Sequence, residues 1–256
     1  MSWDPDQYKR YADERSRPFG DLLARVGAAA PRRVVDLGCG SGTLTALLAQ
    51  RWPSATVEGI DSSPQMLASA ASVGTVSFQL GDIAEWTMPP DADVVVSNAS
   101  LQWVPGHRDL LVRWAAQLPA GGWLAFQVPG NFDAPTHSLM RTLAASPRWA
   151  TALRGILRHH DSVSSPADYA ALLLGTGLHS DVWETTYLHL LPGRDPVLEW
   201  LRGTGLRPVL DALSVEQGRA FETEFGALLR TAYPPTPHGT MLPYRRIFAV
   251  AHRERP

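Results

Sequence analysis

The stretch VVDLGCGSGTLT occupies residues 34–45 and decides the fold of this 256-residue chain. A short apolar run leads directly into Gly38, Gly40 and Gly42, and the residues that follow have helical spacing. Glycine suits such a turn because it adopts positive φ angles and lets a ligand reach the backbone with no Cβ in the way. The N–H groups at the start of the following helix favour negatively charged ligand groups. The stretch therefore predicts a strand, a ligand-binding turn and a helix.

The same alternation continues on both sides of the turn, from Arg32 to about Pro129. Short β-branched apolar runs alternate with amphipathic stretches, which is typical of a parallel sheet wound by right-handed crossovers. The runs cover residues 34–37, 56–60, 76–79, 93–97 and 123–128. Two late strands are predicted at 182–191 and from Tyr244 to His252, the second after a loop at 233–239. We therefore predict an α/β fold with a doubly wound, mostly parallel sheet.

The spacing of the glycines bears on the kind of ligand. A dinucleotide fingerprint starting at Gly38 would place glycines at 38, 40 and 43, but position 43 is Thr43 and the third glycine is Gly42. Asp36 precedes the turn. Without a glycine in the register that a pyrophosphate needs, the turn fits a nucleoside that carries an amino acid better than a dinucleotide.

Acidic and amide residues follow the next strands along the chain. Asp61 ends the second run, 21 residues beyond Gly40, where a carboxylate accepts hydrogen bonds from both ribose hydroxyls. The segment Ser62-Ser63-Pro64 also looks like a helix start, so Asp61 has a capping role as its alternative. Asp82 ends the third strand, where it would hydrogen-bond the exocyclic amine of adenine. Asn98 follows the fourth strand, so all these residues lie at carboxyl ends of strands, where such sheets bind ligands.

The glycine turn with Asp61 and Asp82 resembles the motifs of the class I S-adenosylmethionine-dependent methyltransferases, over residues 32–129. This resemblance implies a seven-stranded Rossmann-like sheet whose last strand is antiparallel, with S-adenosylmethionine as cofactor and no metal. It places ribose on Asp61 and adenine near Asp82 and Ile83. The full set of cofactor-binding residues that we predict is Asp36, Gly38, Gly40, Gly42, Asp61, Ser62, Met66, Asp82, Ile83, Asn98, Ala99 and Arg17.

Segments outside these motifs resemble one family within the class, the carboxyl O-methyltransferases whose acceptor is trans-aconitate. They are ERSRP (14–18), NASLQW (98–103), QVPGNFDAPTH (127–137), WETTYLHL (183–190), GTGLRP (203–208) and YRRIFAVA (244–251). The resemblance implies esterification of one carboxylate of this small tricarboxylic acid. A class I methyltransferase acting on another small acid or an amine is the alternative, and a module that binds the cofactor without catalysis stays open.

The chemistry of a carboxylate acceptor sets what the protein must supply. A carboxyl group has a pKa of about 4, so at pH 7 the nucleophile is already ionised and needs no general base. We therefore predict no catalytic acid or base, and expect positioning and desolvation to carry the reaction. Arginines would hold the two carboxylates that do not react, because an arginine on the reacting one would weaken it as a nucleophile.

The substrate-binding residues that we predict are Gln102, Trp103, His137, Tyr187, Arg207, Arg245 and Arg246. Arg245 and Arg246 point to opposite faces of one strand, so only one of the two should reach the substrate. His137 is equally well explained as a structural hydrogen-bonding group, and burial without function is the alternative for Tyr187 together with His189.

Organisation and composition complete the prediction. We expect a single domain made of an N-terminal helical segment (1–31), a cofactor-binding core (32–130) and helical cap insertions (131–181 and 192–240). The balance of 25 acidic and 23 basic residues argues against a nucleic-acid partner, and the single Cys39 excludes an intrachain disulfide. With no long apolar run and a charged N-terminus, we expect a cytoplasmic enzyme with no membrane partner, present as a monomer or weak homodimer.

Overall fold

The computed structural model describes residues 12–70, 76–157 and 162–255, with side chains from Ser16 onward in the first helix. In these residues one sheet is covered by helices. The strands are β1 (Arg33–Leu37), β2 (Thr56–Asp61), β3 (Ser77–Leu80), β4 (Ala92–Asn98), β5 (Trp123–Pro129), β6 (His179–Leu191), β7 (Pro235–Thr236) and β8 (Gly239–His252). The helices are α1 (Ala12–Leu23), α2 (Thr45–Arg51), α3 (Pro64–Ala70), α4 (His107–Gln117), α5 (Pro135–Ala144), α6 (Pro166–Leu174), α7 (Pro196–Arg202), α8 (Arg207–Ala212) and α9 (Val215–Ala232).

The sheet has the order β3-β2-β1-β4-β5-β8-β6, and the two-residue β7 pairs with β8 outside this path. Strands β1 to β5 are parallel, whereas β8 runs antiparallel to both β5 and β6. The predicted doubly wound sheet with an antiparallel last strand is therefore confirmed. The chain moves outward from β1 to β3 and then returns to the other side of β1, so β1 and β4 form a topological switch point. Ligands of open α/β sheets bind in the crevice at such a point.

The last strand begins earlier than the sequence analysis predicted. The stretch 233–239 was expected to be a loop before a strand at Tyr244, but β8 starts at Gly239 and pairs with β6 along its whole length. The alternation was hidden by Pro243, which is unusual inside a strand. Pairing of β8 with β5 ends at Arg246, so at Pro243 the strand has a neighbour on one side only and a missing N–H is tolerated there.

Hydrophobic side chains form three clusters around this frame. One lies between the sheet and helices α4 and α6, with Trp114, Phe126 and Tyr169 fully buried. A second packs α1 and α2 against the sheet through Phe19 and Leu48, among others. The third joins α5, α7, α8 and α9 to the protruding ends of β6 and β8.

The third cluster bears on the predicted cap. Residues 135–157 pack in it, with Met140 and Trp149 buried. Helix α6 packs in the first cluster on the sheet, through Tyr169 and Leu173. The predicted insertion 131–181 is thus divided between two packing environments, and the division of the chain into a core and a cap stays a prediction.

Local sequence signals explain where the later helices begin. Ser165 and Ser214 each accept a hydrogen bond from the backbone N–H three residues on, and Asp168 and Gln217 return a bond to the capping residue. These reciprocal capping boxes satisfy amide groups that a helix start leaves without partners. None of the helices in the described part of the chain is long and apolar enough to cross a membrane.

The third cluster should carry much of the stability of the helical region. Phe225 of α9 is fully buried, whereas Leu228 on the same helix is 37% exposed. We expect Phe225→Ala to lower the free energy of unfolding by about 3–5 kcal/mol, because it leaves a cavity. Leu228→Ala, the matched control, should change it by no more than about 0.5 kcal/mol. Urea titrations of both variants measure the difference, and equal losses would contradict the assignment of the cluster.

Candidate active site

The three glycines of the turn after β1 share a backbone conformation but differ in their surroundings. Gly38, Gly40 and Gly42 all have positive φ angles, of 80°, 56° and 72°. A Cβ on Gly38 would lie 2.0 Å from Ser100 Oγ, and one on Gly42 would lie 2.4 Å from Phe78 Cζ. At Gly40, by contrast, an added Cβ would meet no protein atom within 4 Å. Gly38 and Gly42 are therefore required by packing, while Gly40 borders open space next to the turn.

Asp61 braces this turn from the end of β2. Its Oδ2 accepts a hydrogen bond from the Gly40 N–H at 2.8 Å, and its Oδ1 accepts one from the Ser63 N–H at 2.8 Å. Asp61 is not the N-cap of α3. Ser63 caps this helix, because its Oγ accepts a hydrogen bond from the N–H of the buried Met66 at 3.3 Å. Each carboxylate oxygen of Asp61 can accept a further hydrogen bond, so the same side chain retains capacity for a ligand. Ser62, between β2 and α3, is exposed.

Asp36 lies beneath the turn and is 2% exposed. It accepts a hydrogen bond from Thr45 Oγ1 at 2.6 Å. Burial raises the pKa of Asp36 to about 7, with a smaller contribution from the charge of Asp61. Burial also raises the pKa of the Cys39 thiol, so this cysteine is an inert packing residue rather than a nucleophile.

The segment after β3 adjoins the turn. Asp82 lies two residues beyond the end of the strand at Leu80, not at its end as predicted. Its Oδ1 accepts a hydrogen bond from the Ala84 N–H at 2.8 Å, and the side chain is exposed. Ile83 is buried, and its Cδ1 lies 3.3 Å from the position that a Gly38 Cβ would take. Leu80, opposite Asp61 in the register, is 57% exposed and is an apolar neighbour that the sequence analysis missed.

The end of β4 completes the rim. Ala99 has a φ of 55°, which is rare for a residue with a side chain, and its N–H donates to the Gln127 carbonyl at 2.8 Å. Ser100 Oγ donates to the Gly38 carbonyl at 3.1 Å. Asn98 Oδ1 is buried and has no hydrogen-bond partner among the described residues. A strained turn with an unsatisfied buried acceptor is typical of a ligand-binding position.

A cavity of about 690 Å³ opens beside this rim, between the ends of β4 and β5 and the helical region. Aromatic side chains form its apolar walls and several polar side chains converge on the same space, a combination found in small-molecule sites. The aromatic walls are Trp103, Phe132, Trp200 and Tyr244, and the polar side chains are Asn98, Gln102, Asn131, His137, Thr204 and Arg246.

Arg246 is the dominant charge in this cavity. It is 5% exposed, its Nη1 donates to Gln127 Oε1 at 2.8 Å, and its guanidinium lies 4.8 Å from the centre of the Tyr244 ring. Its Nε is buried without an acceptor, and it forms no ion pair with a carboxylate of the described residues. A buried charge without a counter-charge is costly. This arrangement therefore favours an anionic ligand.

The positive charge of Arg246 affects the pKa of the nearby His189. His189 is buried against Trp200, with ring centres 4.9 Å apart. Burial, helped by the charges of Arg246 and Arg17, lowers the pKa of His189 to about 4. The histidine is therefore neutral at pH 7, and the positive charge of the region resides on arginine.

The predicted substrate residues separate into two groups. Gln102, Trp103, His137 and Arg246 line the cavity. Arg245 lies on the opposite face of β8 and pairs with Glu184, and Arg207 pairs with Asp211 one helical turn away at 3.2 Å. The Tyr187 hydroxyl donates to Asp21 at 2.6 Å, which joins α1 to β6. These last three residues do not line the cavity, because each side chain is directed to a partner elsewhere.

Arg17, predicted for the cofactor, lies over the Tyr187 ring at 5.1 Å from its centre. It is exposed on α1. Its guanidinium thus stacks on the residue that ties α1 to the sheet, and its contact with the cofactor stays a prediction.

Three further residues shape the site without having been predicted. Gln127 orients Arg246, and Asn131 exchanges two hydrogen bonds with the backbone of Arg245, at 2.8 Å each. The two bonds fix the register of β8 beside Arg246. Both residues lie in or just after β5, and the sequence offered no signal beyond their place in the segment 127–137. The third, Arg141, is on α5.

Within the described residues no group of three or more metal-ligating side chains occurs.

The strand order, the glycine turn and the acidic strand ends together define a class I S-adenosylmethionine-dependent methyltransferase. Residues 8–180 match the family model of a methyltransferase domain. The fold is similar to that of the YcgJ protein from Bacillus subtilis, with a TM-score of 0.61, 16% identity and coverage of 94% of this chain and 99% of that one. It is also similar to the Haemonchus contortus phosphoethanolamine N-methyltransferase 2 in complex with S-adenosyl-L-methionine, with a TM-score of 0.54, 17% identity and coverage of 93% and 53%.

Sequence similarity narrows the class. The trans-aconitate 2-methyltransferase of Streptomyces avermitilis is 55% identical over 99% of this chain and 97% of its own length. The chain belongs to the trans-aconitate 2-methyltransferase family, as its segments outside the cofactor motifs predicted.

The open space at Gly40 predicts a selective effect on cofactor binding. Gly177, on the loop before β6, also has a positive φ, of 77°, and no atom within 4 Å of an added Cβ. Alanine at either position costs about 1–2 kcal/mol of stability because of backbone strain. Only Gly40→Ala should weaken S-adenosylhomocysteine binding, by about tenfold or more, because its methyl group enters the binding space. Calorimetric titration measures both affinities, and equal affinities for the two variants would contradict this role of Gly40.

The raised pKa of Asp36 predicts a pH-dependent stability difference. The folded state binds this proton more tightly than the unfolded state, so the associated stability is present below about pH 4 and is lost as the pH rises towards 7. Asp36→Asn stays neutral, and its oxygen still accepts from Thr45. Its free energy of unfolding relative to the wild type should therefore increase between these pH values. Urea titrations across the range measure this, and a difference that does not vary with pH would count against it.

Proposed function

We propose that this protein transfers the methyl group of S-adenosylmethionine to a carboxylate of trans-aconitate, yielding a monomethyl ester and S-adenosylhomocysteine. The observation that carries this proposal is Arg246, a buried guanidinium with a neutral hydrogen-bond partner at the wall of an aromatic cavity. Membership of the family supports the choice of acceptor.

The residues around the glycine turn would hold the cofactor. Asp61, already fixed by hydrogen bonds from two backbone N–H groups, would accept hydrogen bonds from the ribose hydroxyls. Gly40, which has no side chain, would let the nucleoside lie against the backbone. Asp82, Ile83 and the exposed Leu80 border the adenine position, the last by apolar contact. Asn98 offers its unsatisfied oxygen towards the amino-acid part of the ligand. When bound, S-adenosylmethionine supplies a methyl group on a positively charged sulfur; the nucleophile would attack the methyl carbon in line, and the sulfur would leave as S-adenosylhomocysteine.

The cavity would desolvate and orient the acceptor carboxylate, and it does not need to deprotonate it. The reacting carboxylate is ionised at pH 7, so no side chain has to remove a proton. Trp103, Phe132 and Trp200 exclude water from the carboxylate oxygen, which makes it a better nucleophile. Arg246 binds a carboxylate that does not react and thereby orients the other end of the molecule. Gln127 keeps the guanidinium in place through its 2.8 Å hydrogen bond.

An amine acceptor is the rival that the site argues against. At neutral pH an alkylamine is cationic, and Arg246 would repel it across the cavity. Another small polyacid fits the same charge and is separated from trans-aconitate by assay. The cytoplasmic location and the monomeric or weakly dimeric state remain predictions.

The test is methyl transfer from labelled S-adenosylmethionine to a panel of acids and amines. Trans-aconitate should be methylated far faster than cis-aconitate, citrate, isocitrate or any amine. Arg246→Gln should raise the KM for trans-aconitate by about 10- to 100-fold, the worth of a charged hydrogen bond, and leave the affinity for S-adenosylhomocysteine unchanged. Arg32→Gln, which removes a surface guanidinium paired with Asp93, is the control. Label found only on an amine would overturn the proposal.

A further inference from the structure

A second cavity adjoins the first. It is smaller, opens to the surface, and shares Phe132, His137 and Gly205 with the larger cavity. Its remaining walls are mostly apolar, but they include Arg141. This arginine lies one helical turn after His137 on α5, so the two side chains occupy the same face of the helix. Arg246, in contrast, comes from β8, on the sheet side of the larger cavity.

Arg141 differs from the other arginines of the helical region. Arg148 pairs with Glu224, Arg202 with Glu199 and Glu222, Arg207 with Asp211, and Arg230 with Asp195. Arg141 forms no ion pair with a carboxylate of the described residues. Its Nη1 is buried and has no hydrogen-bond partner among them. A buried N–H donor of a cation is rarely left unsatisfied in a native protein, so a ligand group is the expected acceptor.

The charges of the acceptor match the two arginines in number. A tricarboxylate has one carboxylate that reacts and two that do not. The reacting oxygen must stay free of a bidentate arginine, since such a pair would withdraw its electron density. That leaves two carboxylates to be held, and the two neighbouring cavities each contain one arginine without an acidic partner among the described residues.

We propose that Arg141, together with His137, forms a second carboxylate-binding subsite, which holds the non-reacting carboxylate that Arg246 does not bind. This inference rests on the proposed function, and it makes Arg141, with Arg246, a residue that selects tricarboxylates over dicarboxylates. Gly205 contributes by its lack of a side chain, because a Cβ there would lie 3.3 Å from His137 Nε2 and crowd the junction of the cavities.

Binding to the enzyme saturated with S-adenosylhomocysteine tests the subsite without requiring turnover. The probes are trans-aconitate and the three dicarboxylates that each lack one of its carboxylates and keep its double-bond geometry, namely cis-glutaconate, itaconate and mesaconate. Dissociation constants are measured by calorimetry for the wild type, Arg141→Gln, Arg246→Gln and Arg154→Gln. Arg154 is exposed in the same helical region and serves as the control. An unchanged S-adenosylhomocysteine affinity establishes that each variant is folded.

We expect Arg141→Gln to weaken trans-aconitate binding by about 10- to 100-fold. One of the dicarboxylates should bind this variant as well as it binds the wild type, because it lacks the carboxylate that Arg141 holds. A different dicarboxylate should be the insensitive one for Arg246→Gln. The proposal is overturned if Arg141→Gln weakens all the ligands equally, if it weakens none, or if both variants spare the same compound. Methyl transfer by the wild type reports on the proposed function independently of this pattern.

Discussion

The close approach of two turns at the centre of the sheet is the constraint on which the site depends. Gly38 after β1 lies so near Ser100 after β4 that an added Cβ would lie 2.0 Å from the serine oxygen. The Ser100 hydroxyl also donates to the Gly38 carbonyl. The rim of the cofactor crevice and the rim of the acceptor cavity are therefore joined through one residue without a side chain. This junction holds the donor and acceptor positions in a fixed relation, which an in-line displacement requires.

Electrostatics separates the two halves of the site. The half around the glycine turn, which we propose binds the cofactor, contains Asp36 and Asp61, and their proximity contributes to the raised pKa of Asp36. The acceptor half contains Arg246, whose charge helps to keep His189 neutral. A cationic sulfonium suits the acidic side and a polyanion suits the basic side, so each reactant is attracted to its own half and repelled by the other.

The cofactor half was more predictable from the sequence than the acceptor half. The turn formed by Gly38, Gly40 and Gly42 was located from the sequence because a strand-to-helix turn imposes short-range geometry that fixed spacings record, while the binding of the cofactor by these residues and Asp61 stays a prediction. The arginines of the acceptor half were harder to assign. Their order along β8 predicted that only one of Arg245 and Arg246 would face the cavity. The i,i+4 spacing of Arg207 and Asp211 was a local signal for an ion pair on one helix, but nothing local revealed that the Nη1 of Arg141 is buried. That burial depends on which helices pack together, and packing between distant segments leaves no periodic signal.

The length of β8 has a consequence for how such a protein diversifies. Its C-terminal half is paired on both sides in the sheet, and its N-terminal half extends beyond β5 to support α7 and α9 through Leu242 and Tyr244. Arg246 lies at the boundary between the two halves, on backbone that the sheet holds rigidly. Arg246 thus belongs to the rigid sheet, whereas the opposite wall of the cavity is formed by helices whose side chains can be exchanged without disturbing the sheet. Substitutions on these helices can in this way change the size and shape of the acid that fits the cavity, while Arg246 keeps its position and its positive charge.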